Sequence, residues 1–247
     1  MKFMLCALAS FLLIPQDGHC TLTIILKDPI SSNVGGAMIS SNPNITDLTL
    51  PGLMPAQKSV GITGWGGRPD FSWPRTSEVV LKMLASHDTA TTIQDSILKI
   101  SGTGYYRYAF MSNDGKPLGG VAPYCDETHN DCAVYIDAER SIVISAGGQE
   151  PGSILKTFNR LQALQVSRLS SFKKGLDVIP FPCYVANALA ISQEFGAETA
   201  QLRAAGIVLD LEDTTEIVSA TQVAAVEVEI VTNLKKKLST NLNLDCK

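Results

Sequence analysis

Strands in this 247-residue chain come in pairs closed by tight turns, and its helices come in pairs of their own. Asn113-Asp114-Gly115 separates two apolar runs, residues 105–111 and 116–121, and predicts a hairpin. Ala138-Glu139-Arg140 does the same between residues 133–137 and 141–145. Upstream, TLTIILKD alternates Thr21, Thr23, Ile25 and Lys27 with Leu22, Ile24 and Leu26, as a strand does. Turn residues 29–33 return it into a second strand over 34–41, rich in small residues. A polar loop over 42–57 leads to a short strand over 59–63 that ends in the Gly-rich GWGGRP. Strands that neighbour each other along the chain pair antiparallel, so βαβ alternation is excluded.

The helices follow the same grouping. Residues from Thr76 place Val79, Val80, Met83 and Leu84 on one face, and Asp88 is positioned to cap a second helix carrying Ile93 and Ile97. Pro151 opens a long helix with Ile154, Leu155, Phe158, Leu161 and Leu164 as its stripe. Another stretch, 184–205, closes at Gly206 and hands over to a strand at 207–211. Residues 222–238 fit both periods, Val226, Val228 and Ile230 alternating with Glu227 and Glu229; Lys235 to Lys237 favour the helix by complementing its C-terminal dipole. The fold class is α+β with mostly antiparallel sheets. Residues 21–212 read as one domain, and 213–247 as a C-terminal helical segment packing on it or trailing from it. At 45% hydrophobic and 18% charged residues, the chain folds around a sizeable core. A net charge of -4 leaves no positive excess for a phosphate backbone, which argues against nucleic acid as a partner.

Residues 1–20, MKFMLCALASFLLIPQDGHC, have a positive start at Lys2, an uncharged apolar run from Phe3 to Pro15 and a polar tail, the pattern of a signal peptide. The run is too short to span a bilayer easily, so the expectation is an exported protein (extracellular, secretory lumen or periplasm) with no stable membrane anchor after processing. Gly18 and Cys20 suit the positions before a cut that leaves Thr21 first. That cut also leaves four cysteines, Cys125, Cys132, Cys183 and Cys246, an even set for an oxidising compartment. Cys125 and Cys132 enclose the short loop CDETHNDC and are the natural pair, which would leave Cys183 with Cys246; three connectivities are open. Asn44-Ile45-Thr46 is a glycosylation sequon.

Familiar catalytic signatures are missing. GWGG lacks the Lys-Ser/Thr of a phosphate loop, there is no GxSxG elbow or HExxH helix, and only His87 and His129 follow the signal segment. His129 lies among Asp126, Glu127 and Asp131, but the spacing matches no metal-ligand pattern and reads better as a solvated acidic turn. No metal or cofactor is called for. The terminus itself can carry chemistry: a terminal threonine has a hydroxyl nucleophile and, on the same residue, an α-amine with an ordinary pKa of roughly 7.7 to 8, suited to a general base.

The stretches TLTIILKDPISSNVGGAMISSNP, KSVGITGWGG, YRYAFMSNDGKPLGG and ISAGGQEPGSILKTF, with the helix pair between them, resemble the domain-of-unknown-function family 1028 over about residues 21–165, in order. Beyond Lys173 the likeness thins to IVLDLED. The resemblance implies the fold of the N-terminal nucleophile (Ntn) hydrolases, a four-layer αββα sandwich with the first strand central and its first residue at the site. In the threonine enzymes of that fold a lysine and an aspartate assist the terminal residue. Lys27 and Asp28 lie roughly 20 Å from Thr21 at strand rise and do not suit that role; Lys58, just before the third strand, is a candidate helper.

Two functions follow from these residues. One is an exported amidohydrolase in which Thr21 attacks a small amide or peptide-like substrate. Ser40, Ser41 and Asn42, beside the start of the first strand, and Thr63, Gly64 and Trp65, at the end of the third, are its candidate substrate contacts or oxyanion donors. The other is a secreted, non-catalytic binding or interaction protein retaining the fold. A homo-oligomer is compatible with either.

Overall fold

The alternation in TLTIILK becomes strand β1, Thr21–Lys27, with both of its faces covered. In a computed structural model of the full chain, the residues described are 21–40, 46, 48–67, 73–102, 106–125, 132–147, 152–195, 204–211, 215–221 and 229–246. β1 pairs antiparallel with β2 (Val34–Ser40) on one side and with β8 (Ile142–Gly147) on the other. β7 (Cys132–Asp137) extends the sheet beyond β8, while β9 (Ala204–Asp210) and β10 (Thr215–Thr221) extend it beyond β2. The order is β10-β9-β2-β1-β8-β7, which puts β1 inside a six-stranded sheet. A second sheet runs in the order β3-β4-β5-β6, with β3 at Ala56–Gln57, β4 at Gly61–Gly67, β5 at Tyr106–Ser112 and β6 at Leu118–Val121.

Apolar side chains divide among three layers of core. Leu22, Ile24 and Leu26 of β1 pack with Ile39, Ile144 and Ala146 against two long helices, α4 (Ser153–Lys173) and α5 (Phe181–Phe195), and against α6 (Glu229–Leu242). Ile25 takes the opposite face with Val34, Met38 and Val143, meeting Ile62, Ala109, Met111 and Leu118 of the second sheet. The second sheet's outer face, Trp65, Tyr106, Tyr108 and Phe110, carries the helical pair α2 (Trp73–Ala85) and α3 (Ala90–Ser101) through Val80, Leu84, Ile93 and Ile97. Short helix α1 (Leu50–Leu53) adds Leu50 to the layer between the sheets. The result is an α+β sandwich of two antiparallel sheets with helices outside each.

Several local expectations are corrected. The cap of α3 is Thr89, whose hydroxyl accepts from Thr92 N, because Asp88 sits one residue too early. α5 spans Phe181–Phe195, and Gly206 lies within β9 instead of closing a helix. There its neighbours Ala205, Ile207, Val208 and Leu209 are all buried, so the strand gains a core on both faces. The segment 213–247 is not wholly helical: Thr215–Thr221, rich in β-branched residues, pairs with β9 and widens the sheet. Glu229–Leu242 is helix, and residues 222–228 of the ambiguous run lie outside the described residues.

Two covalent ties hold the ends. Cys125 bonds Cys132 with Cα atoms 5.6 Å apart, and Cys183 in α5 bonds Cys246, just past α6, at 5.0 Å. The second closes 63 residues of chain, worth about 4 kcal/mol by chain entropy. Among the described residues no helix is long and apolar enough to cross a membrane. The signal segment 1–20 and the sequon at Asn44 lie outside the described residues.

Candidate functional site

The layer between the two sheets changes character along β1. Toward Lys27 it is filled by Ile25, Val34, Val143 and Met111. Toward Thr21 the same strand faces carry Thr21, Thr23, Ser40 and Ser145, with Arg107 opposite them on β5. Polar side chains this far inside a sandwich require partners or a ligand, because burying them bare costs free energy.

Thr21 stands directly across from Ser40 in one ladder and from Gly147 in the other. The hydroxyls of Thr21 and Ser40 share a hydrogen bond of 3.0 Å. In this chain, where its nitrogen is still joined to Cys20, Thr21 is 7% exposed and Ser40 is 3% exposed. The threonine methyl points at the second sheet: a Cβ placed on Gly66 would stand 3.2 Å from Thr21 Cγ2. The same point lies 3.4 Å from Arg107 Nη2 and 3.6 Å from Nε, so threonine and guanidinium close in on one glycine. On the other side, a Cβ on Gly147 would fall 1.7 Å from Arg107 Nη1. Only glycine at that position leaves room for the guanidinium beside the start of β1.

Arg107 is 3% exposed. Its Nη1 donates to the Tyr124 hydroxyl, and its Cζ lies 5.8 Å from the Tyr124 ring centroid. Among the described residues, its Nε and Nη2 are buried without a hydrogen-bond partner. Tyr124 precedes Cys125, and the Cys125–Cys132 disulfide ties that turn to the residue facing Gly147 in the β7–β8 ladder. The covalent bridge thereby holds the tyrosine against the arginine.

Other candidates stand elsewhere. Gly64 does face β1, but at Thr23, whose Cγ2 would be 2.5 Å from an added Cβ. Thr63 and Trp65 alternate with Gly64 and fall on the opposite side of β4; Trp65 stacks on Trp73 at 5.9 Å in the core under α2 and α3. Their expected role beside Thr21 is therefore not supported by position, because the strand runs on through Gly67 and only its even residues face β1. Lys58 is exposed in the turn between β3 and β4, next to Asp210, at the Lys27 end of the sandwich. It is remote from Thr21 and does not reach it as a helper. Lys27 donates to Ser31 O, and Asp28 is bound by Arg168. Ser41, Asn42 and the acidic turn around His129 lie outside the described residues. A shallow open groove along α4, lined by Arg140, Gln162, Val166 and Ser170, is also at the Lys27 end and gathers no buried, unpartnered charge.

No family model matches the sequence. No curated protein matches it. Among solved structures, a Silicibacter pomeroyi protein assigned to DUF1028 matches with a TM-score of 0.67 at 15% identity, over 89% of this chain and 89% of that one. This chain has the fold of a DUF1028 protein. The structural likeness, at 89% of the chain, covers more of it than the stretch of about residues 21–165 that suggested the family.

Arg107 was not among the residues singled out from sequence, although the signal existed. In YRYAFMS, period two sets Tyr106, Tyr108 and Phe110 on one face and Arg107, Ala109 and Met111 on the other. Both faces are apolar enough to be buried, which strands the arginine inside.

Proposed function

We propose that this chain, exported and freed of residues 1–20, is an Ntn-type amidohydrolase with Thr21 as nucleophile. The observation that carries this reading is the Thr21 hydroxyl itself: it begins an interior strand, points between the sheets at their polar end and is held by Ser40 at 3.0 Å. A rigid strand end is the kind of support that keeps a nucleophile within reach of its target geometry. The shared DUF1028 fold supports the Ntn architecture that the sequence resemblance implies.

Cutting the Cys20–Thr21 bond converts an amide nitrogen into a free α-amine on the nucleophile's own residue. The neutral amine takes the Oγ1 proton as the oxygen attacks the amide carbonyl, forming a C–O bond and an oxyanion. As the oxyanion collapses, the C–N bond breaks and the ammonium returns its proton to the departing amine. The acyl group is left as an ester on Thr21. Water then attacks the ester, the amine takes the water's proton, and the C–Oγ bond breaks to release a carboxylic acid and restore the hydroxyl. Ser40 orients Oγ1 in this cycle, and the methyl lodged against Gly66 fixes the side-chain rotamer.

The test is turnover by the processed protein on an amide library, with and without acetylation of its terminal amine. A general base contributes about 100- to 10,000-fold, so acetylation should slow hydrolysis by that order with the hydroxyl intact. Hydrolysis unaffected by acetylation, or by Thr21→Ala, would overturn the assignment.

A further inference from the structure

We propose that Arg107 anchors a carboxylate, so that the Thr21 site takes a substrate with a free carboxylate close to the scissile amide. The proposal rests on the reading of Thr21 as nucleophile and adds the substrate class. It comes from comparing two buried arginines of the same chain.

Arg168 shows how this chain satisfies a buried guanidinium. Its Nε donates to Asp28 Oδ1 at 3.1 Å and its Nη2 to Asp28 Oδ2 at 3.3 Å, a side-on fork matched by two carboxylate oxygens. Its Nη1 donates to Ile179 O, and its Cζ lies 5.1 Å from the Tyr184 ring. Arg107 has the same surroundings on two counts, with Nη1 on the Tyr124 hydroxyl and the Tyr124 ring 5.8 Å from Cζ. Its third requirement is unmet. The Nε–Nη2 edge, which Asp28 fills for Arg168, has no hydrogen-bond partner among the described residues in Arg107 and is equally buried. Guanidinium keeps its charge in proteins, and an unpaired buried charge costs several kcal/mol, so folding alone does not explain its retention here.

That edge and the Thr21 methyl both approach Gly66. Nη2 and Nε stand 3.4 and 3.6 Å from the point where a Cβ on Gly66 would lie, and the Thr21 methyl closes in on that point at 3.2 Å. Glycine at 66 and 147 keeps both sides of the guanidinium free of side chains. A planar pair of oxygens docking on this edge would hold the rest of the ligand next to the hydroxyl of Thr21, which is what a positioning contact for amide cleavage must do. A bidentate fork discriminates strongly against an ester or amide at the same position, since those leave a donor unmatched.

Two readouts keep the anchor separate from the nucleophile. In the first, the processed protein is acylated by a β-lactone carrying a free carboxylate and by its methyl ester. The acid should label Thr21 at least about tenfold faster, tenfold corresponding to about 1.4 kcal/mol. In Arg107→Lys the acid-to-ester ratio should fall toward one, because an ammonium keeps the charge and loses the fork. Gly147→Ala, which drives a methyl into Nη1, should lower the same ratio without changing the arginine. Equal labelling by acid and ester in the unaltered protein would overturn the anchor while leaving the nucleophile in place. In the second readout, N-acetyl-L-alanine should raise the unfolding temperature of both the unaltered protein and Thr21→Ala, and N-acetyl-L-alanine amide should not. If neither lactone reacts, the nucleophile reading fails and this shift still decides the anchor. A shift that survives in Arg107→Lys, no shift with the acid, or a shift with inorganic phosphate alone would overturn it.

Discussion

Thr21 and Ser40 occupy opposite positions in the β1–β2 ladder, and their hydroxyls meet at 3.0 Å inside the sandwich. The pair is fixed by register, so a one-residue shift of either strand would separate the hydroxyls and turn the shifted strand's side chain to the other face. Ser40→Ala should leave the fold intact and remove the hydroxyl that meets Thr21, a neutral hydrogen bond worth about 1 kcal/mol. Acylation of Thr21 should slow roughly threefold to tenfold as its rotamer loosens. Rates of labelling and unfolding curves in urea check both parts, and an unchanged rate would remove Ser40 from the site.

Arg107 and Arg168 should respond oppositely to the same substitution. Arg168→Met strands the buried carboxylate of Asp28 and should cost about 3 to 5 kcal/mol. Arg107→Met removes a buried charge whose one hydrogen-bond partner among the described residues is Tyr124, and should be far better tolerated or stabilising. Denaturant unfolding of the two variants compares them directly. A loss at Arg107 as large as that at Arg168 would mean that Arg107 is structural.

Asp210 makes a prediction about pH. Burial raises its carboxyl above the ordinary 3.8, against the opposing pull of the Ser59 N–H and the Lys58 charge. With the folded value above the unfolded one, the folded chain binds the proton more tightly, so stability falls as pH rises from the unfolded value through the folded one. Asp210→Asn abolishes that dependence. The variant should therefore gain stability relative to the unaltered protein between about pH 4 and neutrality, the difference levelling off above the folded value. Unfolding free energies measured across this range test it, and a variant that loses ground with rising pH would contradict the burial argument.

Period two made the hairpin of β1 and β2 legible, and with it the meeting of Thr21 and Ser40. It also carried the clue to Arg107, since a strand apolar on both faces leaves its one charge inside. The reach of β4 was hidden for a different reason. GWGG has three glycines, which disfavour strand on propensity, yet Gly64 and Gly66 are in the strand because Thr23 and Thr21 leave no space for a side chain there. Trp65 consequently faces the helices, one residue out of phase with its expected role. Lys58 failed as a helper because chain proximity to the third strand says nothing of which end of the sandwich that strand starts from. The strand expected over 207–211 is β9, but β10 was not legible, because residues 213–247 read as helix and only pairing with β9 makes 215–221 a strand.

The most direct measurement of the central claim is the site of covalent labelling on the exported protein. The secreted chain would be treated with a β-lactone and its N-terminal peptide sequenced by mass spectrometry. The account predicts a chain that begins at Thr21, with the acyl mass on the Thr21 hydroxyl and none in Thr21→Ala. A mature start at another residue, or a correctly started chain that takes no label on Thr21, would contradict it.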